Sequence, residues 1–293
     1  MFDLRYHVAS LAAVFVALLI GILVGVGISS SNTISNSERK VLDEQKAELQ
    51  ARLDTEVQRG NGLAAAQRAA QAFIAEGYPS VLRERLRGKR IAVVFIGSPD
   101  GRSRGLVQEA LTDANAVAAL RFRALKVPID PVTLSRALVR RPALAPFAGS
   151  PQLGKLGLAL GQELVAGGDS PLWNALSSQL VVERSGGMQR PVDGVVLVRS
   201  AQPQGGPTAR FLTGLYTGLG ASAAPLVGVE KSGTTPSATG VYRKLGISSV
   251  DDLETAAGRL ALVALLAGAQ PGHYGLDETA DSAIVPPLVG TGG

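Results

Sequence analysis

The sequence predicts an α/β protein in which a Rossmann-like, parallel, doubly wound sheet domain follows an N-terminal transmembrane helix and a helical coiled-coil stalk, with no β-barrel. Three observations predict this. Residues 8–28 form a run of 21 positions without a charge, with Ser10 the one polar side chain. Residues 37–76 are strongly helix-forming with apolar side chains in a heptad register. From residue 89 onward, short apolar runs alternate with helical patterns, the order that builds parallel sheets. The 293 residues divide into an N-terminal arm (1–7), a span (8–28), a linker and stalk (29–78), an α/β domain (79–275) and a loose tail (276–293).

At about 1.5 Å per helical residue the uncharged run covers roughly 31 Å, the thickness of a bilayer core. A cleaved signal peptide is the rival reading, and Gly27-Ile28-Ser29 is small enough for a cleavage site. Its apolar region usually spans only about 7–15 residues behind a cationic start, so the length here favours an uncleaved anchor. Arg5 on one side, and Arg39 and Lys40 among acids on the other, place the N-terminus in the cytoplasm and the globular part on the extracytoplasmic side. Gly21 and Gly25 form a small-xxx-small pair that lets two membrane helices approach, although glycine is also simply common in such helices.

A polar link, Ser29-Ser30-Ser31-Asn32-Thr33, precedes the stalk. There Leu42, Leu49, Leu53, Leu63, Ala70 and Ile74 fill six of ten positions of one heptad register, and a single amphipathic stalk and a parallel dimer continuing from the membrane helix both satisfy that pattern. Gly60-Asn61-Gly62 is expected to loosen or break the helix, and Tyr78-Pro79-Ser80 to end or redirect it.

In the α/β part, residues 89–96 carry an unbroken apolar run, a strand covered on both faces. Gly97-Ser98-Pro99-Asp100-Gly101 turns the chain into a helix reaching residue 114. Residues 117–123 alternate as a strand. Helices are expected at 133–139, 153–165, 172–180 and 209–219, with strands at 195–198 and 226–229. A last helix at 251–267 has Asp251 and Glu254 spaced as a capping pair, Gly268 as its stop and Pro271 beyond.

Composition excludes several chemistries. With zero cysteines, thiolate zinc sites, iron–sulfur clusters, disulfides and cysteine nucleophiles are ruled out. Two histidines, His7 and His273, and two methionines, Met1 and Met188, cannot furnish a soft-metal cage from one copy of the chain. Composition alone assigns no metal ligand.

Charge is unevenly spread. Residues 83–141 hold 13 basic and 5 acidic side chains, a net of +8, against −1 before and −2 after. Arg83, Arg85, Arg87, Lys89 and Arg90 form the densest stretch. A solvated face is the ordinary reading of such a run; contact with anionic lipid or envelope polymer is the functional one. Nucleic acid is not expected, since no aromatic residue interleaves with the stretch and no zinc-finger or RNA-recognition motif is present.

No catalytic constellation is recognisable, no cofactor is implied, and the chain does not read as an enzyme. The loop holding Asp100 sits where a doubly wound sheet places ligands, yet it lacks Gly-x-Gly-x-x-Gly, and neither a phosphate-binding Gly-x-x-x-x-Gly-Lys-Ser/Thr loop nor a Gly-x-Ser-x-Gly elbow occurs. His273 is the one histidine outside the arm and a candidate base or ligand. A turn in which its imidazole and the Tyr274 hydroxyl bond to backbone explains it more simply.

The arm Arg5-Tyr6-His7-Val8-Ala9-Ser10-Leu11, the glycine-containing span, the stalk, the strand at 89–96, Val250-Asp251-Asp252 and Gly272-His273-Tyr274-Gly275 resemble the actinobacterial MctB family, described as copper-transport or outer-membrane channel proteins. The preference for Arg (22) over Lys (7) suits a high-GC actinobacterial source. The resemblance implies a cell-envelope protein of copper export or homeostasis; the glycine pair of the membrane helix and the heptad stalk add the expectation of a homo-oligomer through both. The alternative is a non-catalytic scaffold or binding module held near the membrane by a dimeric stalk.

Overall fold

The computed structural model describes residues 4–30, 36–116 and 121–282. It divides into two compact units, 1–69 and 70–293.

The first unit is helical. Helix α1 (Leu4–Ser30) runs for 27 residues, and α2 (Asn36–Leu82) for 47, extending into the second unit. Among the described residues no helix is long and apolar enough to cross a membrane. Side chains of α1 are described only for residues 10–25, a stretch of about 24 Å at helical rise, short of the roughly 30 Å of a hydrocarbon core. Most of the polar link, 31–35, lies outside the described residues.

The expected break at Gly60-Asn61-Gly62 is absent: α2 continues through it. Glycine raises the cost of a helix by about 1 kcal/mol per site but removes no backbone hydrogen bond, so helix-forming neighbours carry the ladder across. Nor does Tyr78-Pro79-Ser80 end the helix, which reaches Leu82. A proline inside a helix costs about 3 kcal/mol, and burial of Tyr78 and Leu82 in the domain core offsets this at about 1.5–3 kcal/mol per large side chain.

The second unit is a seven-stranded open sheet, order β3-β2-β1-β4-β5-β6-β7, and no closed barrel occurs among the described residues. Its strands are β1 (Ile91–Ile96), β2 (Arg121–Leu125), β3 (Val181–Ser185), β4 (Gly194–Arg199), β5 (Leu226–Val229), β6 (Ser248–Val250) and β7 (His273–Tyr274). All neighbours pair parallel except β2 with the edge strand β3. The second strand ends at Leu125, two residues later than its apolar alternation implies; 117–120 fall outside the described residues.

Apolar strands follow from burial on both faces. Ala92, Val94 and Ile96 point into a core with α4 (Pro131–Val139), α5 (Leu153–Ala166), α6 (Pro171–Leu180), α7 (Gly206–Leu219) and α8 (Thr239–Lys244). Ile91, Val93 and Phe95 point the other way, towards the end of α2, α3 (Gly101–Asp113) and α9 (Ala256–Leu266). Two 3₁₀ turns, Pro142–Phe147 and Ser150–Gln152, lead into α5.

Helices α5 and α7 meet backbone to backbone. A Cβ on Gly157 would lie 2.1 Å from the Phe211 carbonyl oxygen, on Gly214 2.0 Å from that of Gly154, and on Gly218 2.1 Å from that of Leu158. Glycine is what allows this crossing.

The last helix starts at Ala256, five residues after the expected Asp251. Thr255 is its N-cap, accepting from the Gly258 N–H at 2.9 Å, because the Asp251 and Asp252 carboxylates are engaged elsewhere. Residues 276–282, expected to begin a loose tail, are held to the sheet edge: the Gly275 N–H donates to the Ser282 carbonyl at 3.1 Å, and Tyr274 bridges Ser282. Residues 283–293 lie outside the described part.

Candidate functional site

An order of 3-2-1-4-5-6 reverses direction between β1 and β4, and in doubly wound folds ligands bind outside the carboxyl ends of the strands at this point. The loops after β1, β4 and β5 converge on that edge.

The loop after β1 begins at Gly97, whose φ is +103° and where a Cβ would lie 2.9 Å from that of Ala201. Glycine therefore admits the loop after β4, whose Ser200 and Ala201 N–H groups donate to the Ile96 carbonyl at 3.0 and 2.9 Å. Asp100 caps α3, accepting from the Ser103 N–H at 2.9 Å, and Lys231 from the loop after β5 sits 3.6 Å away. Burial pushes the Asp100 carboxyl up; the Ser103 hydrogen bonds and the Lys231 charge outweigh it and hold the group below its ordinary range.

The two C-terminal sequence motifs are brought together by strand pairing. Ser249 aligns with His273 and Val250 with Tyr274. His273 is 7% exposed; its Nδ1 lies 2.8 Å from the Ser249 hydroxyl, so the imidazole meets a side chain where a backbone partner was expected. The His273 backbone N–H donates to the Asp281 carboxylate at 3.1 Å, and Asp281 is paired with Arg243 at 2.7 Å. Burial, reinforced by Arg243 and opposed by Asp281, keeps the imidazole below its usual pKa. The Tyr274 hydroxyl donates to the Gln270 carbonyl at 3.1 Å.

Asp251 locks the following turn. Its Oδ1 accepts from the N–H groups of Leu276 at 2.8 Å and Asp277 at 3.4 Å, and any Cβ on Gly275, whose φ is +149°, would collide with this carboxylate. That explains the glycine closing the Gly-His-Tyr-Gly motif. Asp252 accepts from the Thr255 hydroxyl at 2.8 Å. Burial raises the carboxyls of Asp251, Asp252 and Glu230 above their ordinary range, against hydrogen bonds that pull each down. Despite these acids, no three His, Cys, Asp or Glu side chains among the described residues gather closely enough to hold a metal ion. Asp100 and His273 thus occupy separate networks.

The basic run precedes β1, at the opposite, amino-terminal end of that strand. Arg90 is committed to Asp193, donating through its guanidinium at 3.0 Å and its backbone N–H at 2.9 Å. Arg87 pairs with Glu84 at 2.5 Å, and the Arg85 Nε donates to the Val81 carbonyl at 3.2 Å. Arg83 and Lys89 are exposed. Around Gly21 and Gly25 a Cβ would meet nothing within 4 Å.

Sequence reasoning missed two groups. Arg121 and Arg123 are buried in β2, where they bond to carbonyl oxygens: Arg121 to Gly187 at 2.8 Å, Arg190 at 2.6 Å and Leu164, and Arg123 to Ser185 at 2.7 Å. Burial lowers both, Arg123 to about 10. Arg199 and Glu230, closing β4 and following β5, lie 3.9 Å apart with side chains 11% and 1% exposed. A charged residue directly after a buried strand is the signal that could have found them.

These features define a three-layer α/β protein with a Rossmann-type strand order preceded by two long helices. A family model described as "Copper transport outer membrane protein, MctB" matches residues 1–285, and the chain belongs to that family. The proteins named "Copper transporter MctB" of Mycobacterium bovis and of Mycobacterium tuberculosis are 28% identical to it over 97% of this chain and 99% of theirs.

Proposed function

We propose that this protein is a single-pass, helix-anchored component of the cell envelope acting in copper export or copper homeostasis, with its α/β domain on the extracytoplasmic side. The copper role is carried by family membership. The anchor is carried by one observation: ten large apolar side chains of α1, from Leu11 to Val24, are 54–73% exposed around the whole helix. An all-round apolar helix needs lipid or protein about it, and at about 1.5–3 kcal/mol per buried large side chain the ten together are worth on the order of 10 kcal/mol or more. With residues 8–28 as the span, the uncharged run matches a bilayer core.

Copper handling by this chain does not run through thiolates, since there are none; a conduit is supplied by oligomerisation or by a partner. Gly21 and Gly25, open on one helix face, and the exposed Leu42, Leu49, Leu53 and Leu63 of α2 support a homo-oligomer through membrane helix and stalk. The same leucines favour a second reading, a non-catalytic scaffold whose dimeric stalk holds the domain near an anionic envelope surface, with Arg83 and Lys89 facing it.

Protease treatment of intact cells and spheroplasts separates these claims from a soluble protein: the domain is expected in the membrane fraction and cleaved only once the outer layers are removed. Recovery in the cytosolic fraction would refute the anchor. Crosslinking that yields only monomers would remove the stalk-dimer reading.

A further inference from the structure

At the switch point, a cavity of about 210 Å³ lies between the ends of β1 and β4 and helices α7 and α8. Ile96, Leu212 and Val241 give it apolar walls, and Arg199, Tyr216 and Tyr242 line it as well. The fold makes an effort to place Tyr242 there: its ring lies on Gly228 of β5, where a Cβ would come within 2.4 Å of a ring carbon. Yet the Tyr242 hydroxyl is buried without any hydrogen-bond partner, as is Oε2 of Glu230, while Tyr216 stands edge-on to Tyr242 at 6.4 Å between centroids.

The Tyr242 hydroxyl is closed off from solvent, so Tyr242 serves the cavity as wall. Arg199 is pre-oriented from behind by Glu230 at 3.9 Å and by donation from Nη2 to the Pro236 carbonyl. Among the described residues its Nε and Nη1 make no hydrogen bond. A guanidinium held through Nη2, with Nε and Nη1 unengaged, and apolar walls form the pattern of a site that orients a small molecule by a few polar groups.

We propose that this cavity binds a small organic carboxylic acid, its carboxylate on Arg199 and its apolar body against Ile96 and Leu212. The volume accommodates roughly seven waters at about 30 Å³ each, so a molecule on the order of ten non-hydrogen atoms fits. A phosphate ester is disfavoured because one arginine is the sole cation on the cavity wall and the β1 loop carries no phosphate-binding glycine pattern.

Equilibrium dialysis of the full chain in phospholipid nanodiscs with radiolabelled benzoate tests this. Saturable binding of one benzoate per chain is expected, competed by hexanoate and not by benzyl alcohol or inorganic phosphate. Arg199→Gln should weaken binding at least tenfold, whereas Tyr242→Phe, whose lost hydroxyl is closed off from the cavity, should leave it unchanged. Leu212→Trp, which fills the cavity, should abolish binding while far-UV circular dichroism and the denaturation midpoint confirm folding. Absent or unsaturable binding, equal competition by phosphate or benzyl alcohol, or benzoate affinity unchanged in Arg199→Gln would each overturn the proposal.

Discussion

Replacing Gly214 by alanine places a methyl carbon 2.0 Å from the Gly154 carbonyl oxygen and 2.8 Å from its carbonyl carbon. Ordinary contact begins near 3.4 Å, so the backbones of α5 and α7 must part by about 1.4 Å, the difference between 3.4 and 2.0 Å. The obstacle is main chain and cannot swing aside as a side chain would. Overpacking of this sort costs typically 1–3 kcal/mol, and a gap of 0.5–1 Å already forfeits a quarter to a half of each dispersion contact along the seam. Taking about 3 kcal/mol and crediting about 1 kcal/mol for the better helix propensity of alanine leaves a net loss of about 2 kcal/mol. For a domain of this size that is a fall in Tm of about 4–8 °C. Trp173, the only tryptophan, donates its indole N–H to the Leu160 carbonyl of α5 at 2.8 Å, and its fluorescence reports the melting of this layer. The control is Gly105→Ala in α3, where a Cβ meets nothing within 4 Å, and a gain of up to about 1 kcal/mol is expected. Equal or higher stability of Gly214→Ala than of the unsubstituted chain would refute the backbone-contact reasoning.

Other expectations concern the carboxyl-terminal edge of the sheet. Asp251→Ala strips the acceptor from the Leu276 and Asp277 N–H groups and should cost about 2 kcal/mol, with faster proteolysis within 276–282; Asp251→Asn should stay near the parent, and equal cleavage of all three would count against the lock. Asp100→Ala removes the cap of α3 and should cost about 1 kcal/mol by denaturant titration, an unchanged midpoint being the contrary result. His273 has a folded-state pKa below its ordinary value, so the folded chain binds fewer protons than the unfolded chain near pH 6.5; the stability it contributes is present above that value and lost as pH falls. Buried Glu230, Asp251 and Asp252, raised by burial, add stability on the acid side in parent and variant alike. The stability advantage of the parent over His273→Asn should therefore narrow from pH 7.5 to pH 5, and a constant difference would contradict the assignment.

Strands buried on both faces were legible from the chain alone. The run at 89–96 became β1, and 226–229 coincides with β5, because continuous apolar residues have no other place in a soluble core. The strand expected at 117–123 contains Arg121 and Arg123, but its alternation gave no sign that both are buried, since only the carbonyl oxygens around 185–190 make that burial tolerable. A two-residue strand such as β7 carries no pattern of its own; it exists because Asp251 and Asp281 fasten it. The same cause undid the capping reading of Asp251, since a carboxylate used across 25 residues of sequence is indistinguishable locally from a helix cap. In the candidate site, the place of Asp100 in the loop after the first strand was legible, whereas that of His273 on β7 was not, and the cluster of Arg199 closing β4, Glu230 following β5 and Tyr242 on α8 left only a charged residue at the end of each strand as its trace.

The central claim is a membrane-anchored role in copper homeostasis, and total cell copper under copper load tests it most directly. Cells lacking the protein should accumulate copper, and the full chain should restore the normal level while a chain lacking residues 1–35 should not. Unchanged cell copper in the deletion strain, or full restoration by the chain without its first helix, would contradict the account.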